Sequence, residues 1–375
     1  MRAKIQKYFF LSFLFLISPI HAKYISPDRL LATVPVGVTP AGLAITPDNK
    51  FAYVADNNNY TFTGQDAVSV INLETFLLQD TIFSATFNQP YTITINAAGT
   101  KAYVTNSNST TVSIIDIASN TDIGMITGFD GPSGFVITPN GRTAYVNNYG
   151  GPEGVGSGNG NTVSVVSLDT NTIIQTITLN PVPPAAAPAA LAISPDGRFV
   201  YTVNYVDGNI GTGTMSIIDT TTNTVIGTIP GFSGPFYIAL TANGKFAYVT
   251  NFGSNNFFPF GTTVSVVDLT KNSIIVTIKV GIQPSGIAIS PNGRYAYVTN
   301  YNTLYAGSSF TDLTAGQGTV NIIDIETNTL IPPTLDVGQS PNAIAISSDG
   351  RLACVSNYTS NTVTILDILE RMWLK

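Results

Sequence analysis

The sequence offers few of the side chains that enzymes usually employ in covalent catalysis. It contains one histidine, His21, and one cysteine, Cys354. We expect His21 to be removed with an N-terminal targeting segment, which leaves the mature chain without histidine. A Ser-His-Asp or Cys-His arrangement then cannot form, and neither can a zinc site of the Cys/His type. These two classes of active site are therefore excluded.

Carboxylates could still bind calcium or act in pairs on a glycosidic bond. Four of them, Asp130, Glu153, Asp207 and Asp312, are scattered through loop-rich segments. No DxDxDG-type loop is present, and the sequence does not show which carboxylates converge. There is also no CxxCH motif for haem attachment. We predict no catalytic residues, no metal site and no cofactor.

Aromatic and amide side chains beside a repeated proline are better candidates for a binding site. The residue after this proline is Ala or Ser in four of seven copies, but it is Tyr91, Phe236 or Asn342 in the others. Aromatic faces mixed with amides could receive a sugar, a peptide or a small polar molecule. The alternative is that these residues only pack and cap connectors. The predicted ligand-binding residues are Tyr91, Phe236, Tyr237, Asn342, Gln89, Gln283 and Gln339.

A second group of aromatic residues lies in segments of variable length and could contact a macromolecular partner. The most unusual segment is "FFPF" at 257–260. Exposed aromatic side chains often mark a contact surface. The alternative is that the rings fold back to form small satellite cores. The predicted partner-binding residues are Tyr149, Tyr205, Phe257, Phe258, Phe260, Tyr305 and Phe310.

A sevenfold repeat positions these residues. The motif "YAYVTNY" at 295–301 has close copies at 101–106, 143–149 and 246–251, and looser copies at 51–56, 199–205 and 352–358. Each copy follows an anchor proline, and the anchors are 42 to 57 residues apart. Such a period indicates a repeat architecture. The anchors are Pro40, Pro90, Pro132, Pro188, Pro235, Pro284 and Pro341.

Each unit is predicted to contain four antiparallel strands, a to d. Strand a ("GIAIS") and strand b (the YVTN motif) are joined by tight Asn-Gly or Asp-Gly turns, which are strong hairpin signals. A variable loop leads to strand c ("TVSVVDL"), and a short turn leads to strand d ("IIVTIK"). Four strands in about 40 to 57 residues are typical of a β-propeller blade. We predict an all-β, seven-bladed β-propeller.

The last unit lacks a strand d, and a segment near the N-terminus can supply it. Residues 29–36 precede the first strand a and resemble a strand d. We predict that this segment pairs with strand c of the last unit and closes the ring, which removes a free sheet edge. The predicted organisation is a signal peptide over 1–22 and one propeller domain over 23–375.

The two faces of this propeller should differ. The a–b turns are short and nearly identical, whereas the b–c loops vary widely and are longest in blades 3, 5 and 6. The b–c loops share one face with the d-to-a connectors. Long loops on a rigid support usually carry binding. We therefore expect the binding site on the face that bears the b–c loops.

Three features that recur once per blade are expected to be structural. The strand b tyrosine should fill the space between blades, and its hydroxyl needs a partner there. The Asx that ends strand b should hydrogen-bond the next backbone groups and start the loop; Asp56 is its only charged copy. Cys354 replaces the tyrosine in blade 7, and we assign it a packing role.

The first 22 residues predict export. Arg2, Lys4 and Lys7 precede an apolar run at 8–17, and a cleavage site follows after Ala22. The alternative is an uncleaved anchor. Cleavage leaves 13 Lys and Arg against 22 Asp and Glu, a net charge of about −9. This acidity disfavours nucleic acid as a partner. We predict a periplasmic, secreted or cell-surface protein without a transmembrane segment after removal of the signal.

The motifs "PSGIAISPNGRYAYVTNY" (284–301) and "NTVSVVSLDTNTIIQTI" (161–177) resemble the YVTN β-propeller family. That family includes surface-layer proteins and YncE-like proteins. The resemblance covers nearly all of the mature chain and implies the propeller fold, but a shared propeller does not fix function.

Three functions from different classes remain open at this point. The first is a non-enzymatic binding protein of the cell envelope, whose partner is a protein, a glycan or a small polar ligand. The second is a propeller enzyme, such as a lactonase-like hydrolase, with its site at the channel mouth. The third is a structural surface-layer component, which the resemblance suggests. We expect the first, because the faces differ and catalytic constellations are absent.

Overall fold

The fold was obtained as a computed structural model. It describes residues 29–58, 65–150, 160–179, 187–205, 213–253, 260–305 and 313–368.

Seven four-stranded antiparallel sheets form the molecule, and each repeat unit supplies one sheet. Strands β2 to β5 form blade 1, β6 to β9 blade 2, β10 to β13 blade 3 and β14 to β17 blade 4. Their bounds are β2 Pro40–Ile45, β3 Phe51–Asp56, β4 Ala67–Asn72, β5 Leu77–Phe83, β6 Pro90–Ile95, β7 Lys101–Asn106, β8 Thr111–Asp116, β9 Thr121–Thr127, β10 Pro132–Ile137, β11 Thr143–Asn148, β12 Thr162–Ser167, β13 Thr172–Thr178, β14 Ala187–Ile193, β15 Phe199–Tyr205, β16 Gly213–Asp219 and β17 Thr224–Phe232.

Strands β18 to β21 form blade 5, and blade 6 contains β22, β23, β26 and β27. A small hairpin, β24–β25, extends from the b–c loop of blade 6. Blade 7 contains β28 to β30 together with β1 from the N-terminal side. The bounds are β1 Arg29–Pro35, β18 Pro235–Leu240, β19 Phe246–Gly253, β20 Phe260–Asp268, β21 Ser273–Lys279, β22 Pro284–Ile289, β23 Tyr295–Asn300, β24 Thr303–Tyr305, β25 Leu313–Ala315, β26 Thr319–Asp324, β27 Thr329–Asp336, β28 Pro341–Ile346, β29 Leu352–Asn357 and β30 Thr362–Asp367.

The ring is closed by the early strand, as the sequence predicts. β1 pairs antiparallel with β30, from Arg29 opposite Asp367 to Pro35 opposite Thr362. Val34 is buried in this strand. The strands a of neighbouring blades also contact one another all the way round, including β28 with β2. These contacts confirm a closed seven-bladed propeller with the strands a innermost.

Hydrophobic clusters between adjacent blades hold the ring together, and the strand b tyrosines are central to them. Tyr53, Tyr145, Tyr248 and Tyr297 are among the largest fully buried side chains. The hydroxyl of Tyr248 donates to the side-chain oxygen of Asn328 at 2.6 Å, in the c–d turn of the next blade. Tyr53 with Asn120 and Tyr145 with Asn223 make the same contact. The predicted need for a partner is therefore met by the next blade.

The junction between blades 7 and 1 uses apolar packing instead. Cys354 occupies the tyrosine position there and is fully buried. Phe76 occupies the c–d turn position held by asparagine in blades 2 to 6, and it packs in the same hydrophobic cluster as Cys354. Both partners of the usual hydrogen bond are thus replaced together. Burial raises the pKa of the Cys354 thiol to about 12, which supports the predicted packing role because the reactive form is the thiolate.

No helix long and apolar enough to cross a membrane occurs in the described residues. The predicted signal peptide lies outside them.

Candidate functional site

The Asx residues that end the strands b form a buried polar ring, and their partners differ from those predicted. The amide of Asn106 donates to the hydroxyls of Thr111 and Ser113 in strand c at 3.0 and 2.9 Å. Its oxygen accepts the backbone N–H of Asn88 in the preceding connector at 3.2 Å. The side chain therefore ties strand c to the connector, because it is buried inside the sheet and cannot turn back to the loop that follows. Equivalent bonds to strand c are made by Asn148, Asn204, Asn251, Asn300 and Asn357.

Asp56 is the exception in this ring. It is fully buried, and one of its oxygens accepts the Ser69 hydroxyl at 2.6 Å. The other oxygen has no hydrogen-bond partner among the described residues. Burial raises the pKa of this carboxyl to about 7, against the lowering effect of the hydrogen bond from Ser69. The residue that faces it in the Thr111 position is Ala67.

Aromatic rings gather where the strands b end and the strands a begin. In five consecutive blades, 3 to 7, the residue directly after the ring asparagine is aromatic, whereas blades 1 and 2 have Asn57 and Ser107. The first residues of strands a in blades 2 and 5 add further rings. We refer to the whole set as the axial aromatic cluster. Its members are Tyr91, Tyr149, Tyr205, Phe236, Tyr237, Phe252, Tyr301 and Tyr358.

Phe236 is the centre of one side of this cluster. Its ring centroid lies 5.1 Å from that of Phe252, 5.5 Å from Tyr237 and 6.5 Å from Tyr205. Contacts then continue from Phe252 to Tyr301 at 5.9 Å and from Tyr301 to Tyr358 at 6.3 Å. These separations are typical of interacting aromatic pairs. A continuous run of rings therefore passes through blades 4, 5, 6 and 7.

Tyr91 lies opposite this run, across the axis. Burial is the main cause that raises the pKa of Tyr91, and the phenols of Tyr237, Tyr149, Tyr358 and Tyr301 raise it further. These phenols come from blades 3, 5, 6 and 7, and the last three do not adjoin blade 2. Groups from non-adjacent blades can approach one another only near the axis of a closed ring. The cluster therefore occupies the channel mouth on the face of the b–c loops.

Burial raises the pKa values of further phenols in the cluster besides that of Tyr91. Burial raises the pKa of Tyr237 to about 12, and it raises that of Tyr301 above its usual range as well. Tyr91, Tyr149, Phe236, Tyr237, Tyr301 and Tyr358 are only partly buried. Aromatic residues that keep part of their surface exposed thus line the mouth.

The structure divides the predicted ligand-binding residues. Tyr91, Phe236 and Tyr237 belong to the cluster. Asn342 holds the same strand position as Phe236, and it is buried with a side-chain oxygen that has no partner among the described residues. The serines at this position join neighbouring blades: the hydroxyls of Ser133 and Ser285 donate to the anchor proline carbonyl of the next blade, at 3.0 and 2.6 Å.

The three glutamines do not form a group. Gln89 and Gln283 precede their anchor prolines with φ of 52°, a left-handed conformation that glycine holds in two other blades, at Gly131 and Gly234. The main role of Gln89 and Gln283 is therefore to form the turn of the connector. Gln339 is exposed, and the equivalent position in its blade belongs to Ser340, with φ of 52°. Gln339 therefore lies one residue before the position that Gln89 and Gln283 hold in their blades.

The predicted partner-binding residues are also divided. Tyr205 is the last residue of strand β15 rather than a loop residue, and it is buried against Phe236, which corrects its assignment as an exposed contact. Tyr149 joins the axial aromatic cluster. Phe260 begins β20 and is partly buried. Phe257, Phe258 and Phe310 lie outside the described residues, as does the side chain of Tyr305, so their role stays a prediction.

Three cluster members were missed by the sequence reasoning: Phe252, Tyr301 and Tyr358. Each directly follows the strand b asparagine, so the recurring dipeptide Asn-Tyr or Asn-Phe in blades 3 to 7 was the signal. The repeated motif as a whole was assigned to the scaffold. The residue after the strand b asparagine differs from the rest of the motif, because in blades 3 to 7 it belongs to the axial aromatic cluster.

The described part of the chain contains no group of three or more His, Cys, Asp or Glu side chains that could hold a metal ion. Asp66 is a carboxylate that contacts the connector leading to Tyr91, because one of its side-chain oxygens accepts the Gln89 N–H at 2.9 Å. Burial raises the pKa of Asp66.

A separate cavity of about 480 Å³ lies on the opposite face, between blades 5 and 6 beside the Tyr248–Asn328 contact.

The fold and the site define the class: a closed seven-bladed β-propeller with an aromatic channel mouth. The model of the family described as "Lactonase, 7-bladed beta-propeller" matches residues 118–372. The chain belongs to that family.

Similar proteins are found in bacteria. The seven-bladed β-propeller protein Rv1057 of Mycobacterium tuberculosis is 27% identical over 162 residues, which cover 42% of this chain and 37% of that protein. The PE-PGRS family protein PE_PGRS18 of the same organism is 48% identical over 59 residues, 16% of this chain and 13% of that protein. The matches thus span well under half of these relatives.

Among solved structures, Kuenenia stuttgartiensis hydrazine synthase superposes with a TM-score of 0.72 at 20% identity, over 88% of this chain and 95% of that chain. At this identity the likeness shows the fold alone.

Proposed function

We propose that this protein is an exported binding β-propeller that holds a small ligand at the axial aromatic cluster without covalent chemistry. The observation that carries the proposal is the convergence of partly exposed rings from several blades on one channel mouth. A concave site with apolar walls and a few polar groups is the usual form of a ligand pocket. The blade scaffold repeats, whereas this cluster breaks the sevenfold pattern in blades 1 and 2.

Export and the finer family assignment are part of the same proposal. The basic and apolar residues at 2–17 support a cleaved signal and a periplasmic or secreted protein. The YVTN motifs support a YncE-like or surface-layer-type relative. The aromatic b–c loop segment at 257–260 would extend the binding surface to a protein or glycan partner.

A screen of the purified protein tests the binding proposal. Thermal-shift measurements with neutral sugars, amines and lactones should identify at least one stabilising compound, because a ligand that binds only the folded state raises its stability. The stabilisation should be lost in the double variant Tyr301→Leu/Tyr358→Leu and kept in Tyr301→Phe/Tyr358→Phe. A compound that stabilises all three proteins equally would place binding elsewhere and contradict the proposal.

A lactonase-like hydrolase is the second candidate, and membership of the lactonase family favours it. Hydrolysis of a lactone needs a general base or an activated water. Asp56 has a suitable pKa of about 7, but it is sealed from solvent. Asp66 is the accessible alternative beside the connector to Tyr91. Acid release from a panel of lactones that is abolished in Asp66→Asn would establish the hydrolase function. If no lactone releases acid, the hydrolase function is contradicted.

A further inference from the structure

Positive charge is nearly confined to one face of the propeller. The sequence between residues 29 and 368 contains ten Lys and Arg. Seven stand at the a–b turns, one stands in a c–d turn, and Arg29 starts β1 opposite Asp367 at the same end. The seven are Lys50, Lys101, Arg142, Arg198, Lys245, Arg294 and Arg351, and the c–d turn contains Lys271.

The face that bears the b–c loops has a single cation within this range, Lys279. It ends the outermost strand of blade 5, opposite Thr263, and therefore lies at the rim rather than at the axis. The loop segments outside the described residues between 59 and 312 contain no Lys or Arg in their sequence. No basic side chain between residues 29 and 368 is thus placed to neutralise an anion at the channel mouth.

Carboxylates, in contrast, occur on the same face as the cluster. Asp66 contacts the connector two residues before Tyr91. Asp130 lies in the connector that precedes β10. Asp336 ends β27 opposite Thr319 and therefore lies at the rim, as Lys279 does. The field at this mouth therefore favours a cation over an anion.

The aromatic rings of the cluster can also attract a cation. The face of an aromatic ring attracts a cation, most strongly where water is displaced. The cluster offers six tyrosines, and burial raises the pKa values of Tyr91, Tyr237 and Tyr301. A group of aromatic rings that can turn their faces to one cation is the arrangement that recognises a substituted ammonium group.

We propose that the axial aromatic cluster binds an alkylammonium group of a small molecule, with Asp66 as the nearby counter-charge. This inference rests on the proposed function, because it names the ligand class of the same site. A phosphorylated or carboxylate ligand is not expected at this site, because its negative charge would require basic side chains at the mouth.

Choline and its uncharged isostere 3,3-dimethylbutan-1-ol provide the direct comparison, since they have nearly the same shape and differ in charge. Isothermal titration of the full-length mature protein should show choline binding at least about tenfold more tightly than the alcohol. Tyr358→Leu should weaken choline binding at least about tenfold, whereas Tyr358→Phe, which keeps the ring face, should weaken it less than about threefold.

Asp66→Asn supplies a variant that leaves the rings intact. It should weaken choline binding and leave alcohol binding unchanged. Absent choline binding, or equal affinity for the two compounds, would overturn the ammonium inference. If a neutral compound binds and is lost in Tyr358→Leu, the proposed site stands and only the ligand class falls. If choline binds to Tyr358→Leu and to Tyr91→Leu as tightly as to the wild type, both the proposed site and the ammonium inference are contradicted.

Discussion

At the scale of single residues, Asp56 shows how one substitution changes the energetics of a repeated position. Six blades place asparagine there, with two hydroxyl acceptors or their equivalent in strand c. Blade 1 has a buried carboxyl with one unpartnered oxygen, opposite Ala67. A buried carboxylate is costly, so this side chain takes up a proton near neutral pH, as its pKa of about 7 indicates.

Asp56 should make the protein less stable as the pH rises. Its pKa is higher in the folded state, about 7, than the ordinary value of 3.8 that applies to the unfolded chain. Its contribution to stability is therefore complete below pH 3.8 and is lost as the pH rises through about 7. Between pH 5 and 8 this loss is on the order of 2–3 kcal/mol. Urea unfolding at the two pH values should show it.

Asp56→Asn is the matched variant for this measurement. It should remove that part of the pH dependence. The double variant Asp56→Asn/Ala67→Thr should be the more stable of the two at pH 8, because the introduced hydroxyl restores the acceptor that Thr111 provides in blade 2. An equal change in the free energy of unfolding between pH 5 and 8 in wild type and Asp56→Asn would show that Asp56 does not titrate in this range.

Phe76 and Cys354 should be energetically coupled. Cys354→Tyr alone adds a ring to a filled cluster, which should cost about 1–3 kcal/mol. Phe76→Asn makes room and supplies the acceptor that Tyr248 has in Asn328; asparagine also tolerates the φ of 57° at this position. The double variant should therefore recover at least about 1 kcal/mol relative to the sum of the single changes. Strict additivity in denaturant unfolding would refute the coupling.

At the scale of elements, the closing strand β1 carries the integrity of the ring. It covers the outer edge of β30, and its only buried residue among the seven is Val34, whose two neighbours Thr33 and Pro35 are exposed. Two hydrogen bonds continue the closure: the Val36 N–H donates to the carbonyl of Asn361 at 3.1 Å, and the Thr39 N–H donates to its side-chain oxygen at 2.8 Å.

Val34→Asp should open this junction, whereas Pro35→Asp should not. A carboxylate at position 34 would be buried without a partner, which should cost about 3 kcal/mol or more. The same change at the exposed neighbour should stay within about 1 kcal/mol. Thermal unfolding and size-exclusion chromatography compare the two, and the free edge of β30 should promote association in Val34→Asp. Equal stability of both variants would mean that the ring does not depend on β1.

At the scale of the whole molecule, the fold could be predicted from the sequence because every blade repeats the same local signals. The anchor prolines, the turns and the β-branched strands agree with one another, and the missing last strand identifies β1 as its replacement. The site was predicted only in part. Tyr91, Phe236 and Tyr237 break the pattern at a strand a and could be found by comparing blades within the chain.

The rest of the site depends on which residues meet at the axis. Tyr301 and Tyr358 are 57 residues apart in sequence, and Tyr91 lies farther still from both, so no local pattern brings them together. Asn204 predicts the start of a loop at Tyr205, but strand β15 continues through Tyr205. Gln89 and Gln283 looked like ligand groups, but the left-handed backbone before the proline explains their positions.

The most direct test of the account is a tyrosine-labelled NMR titration with four probes: choline, 3,3-dimethylbutan-1-ol, a neutral disaccharide and a δ-lactone. The account predicts that at least one probe shifts the ring resonances of Tyr91, Tyr301 and Tyr358. The junction tyrosines Tyr53, Tyr145 and Tyr248, which are buried between blades, should stay unchanged. If no probe moves any axial tyrosine, or if junction tyrosines respond equally, the channel mouth is not the binding site.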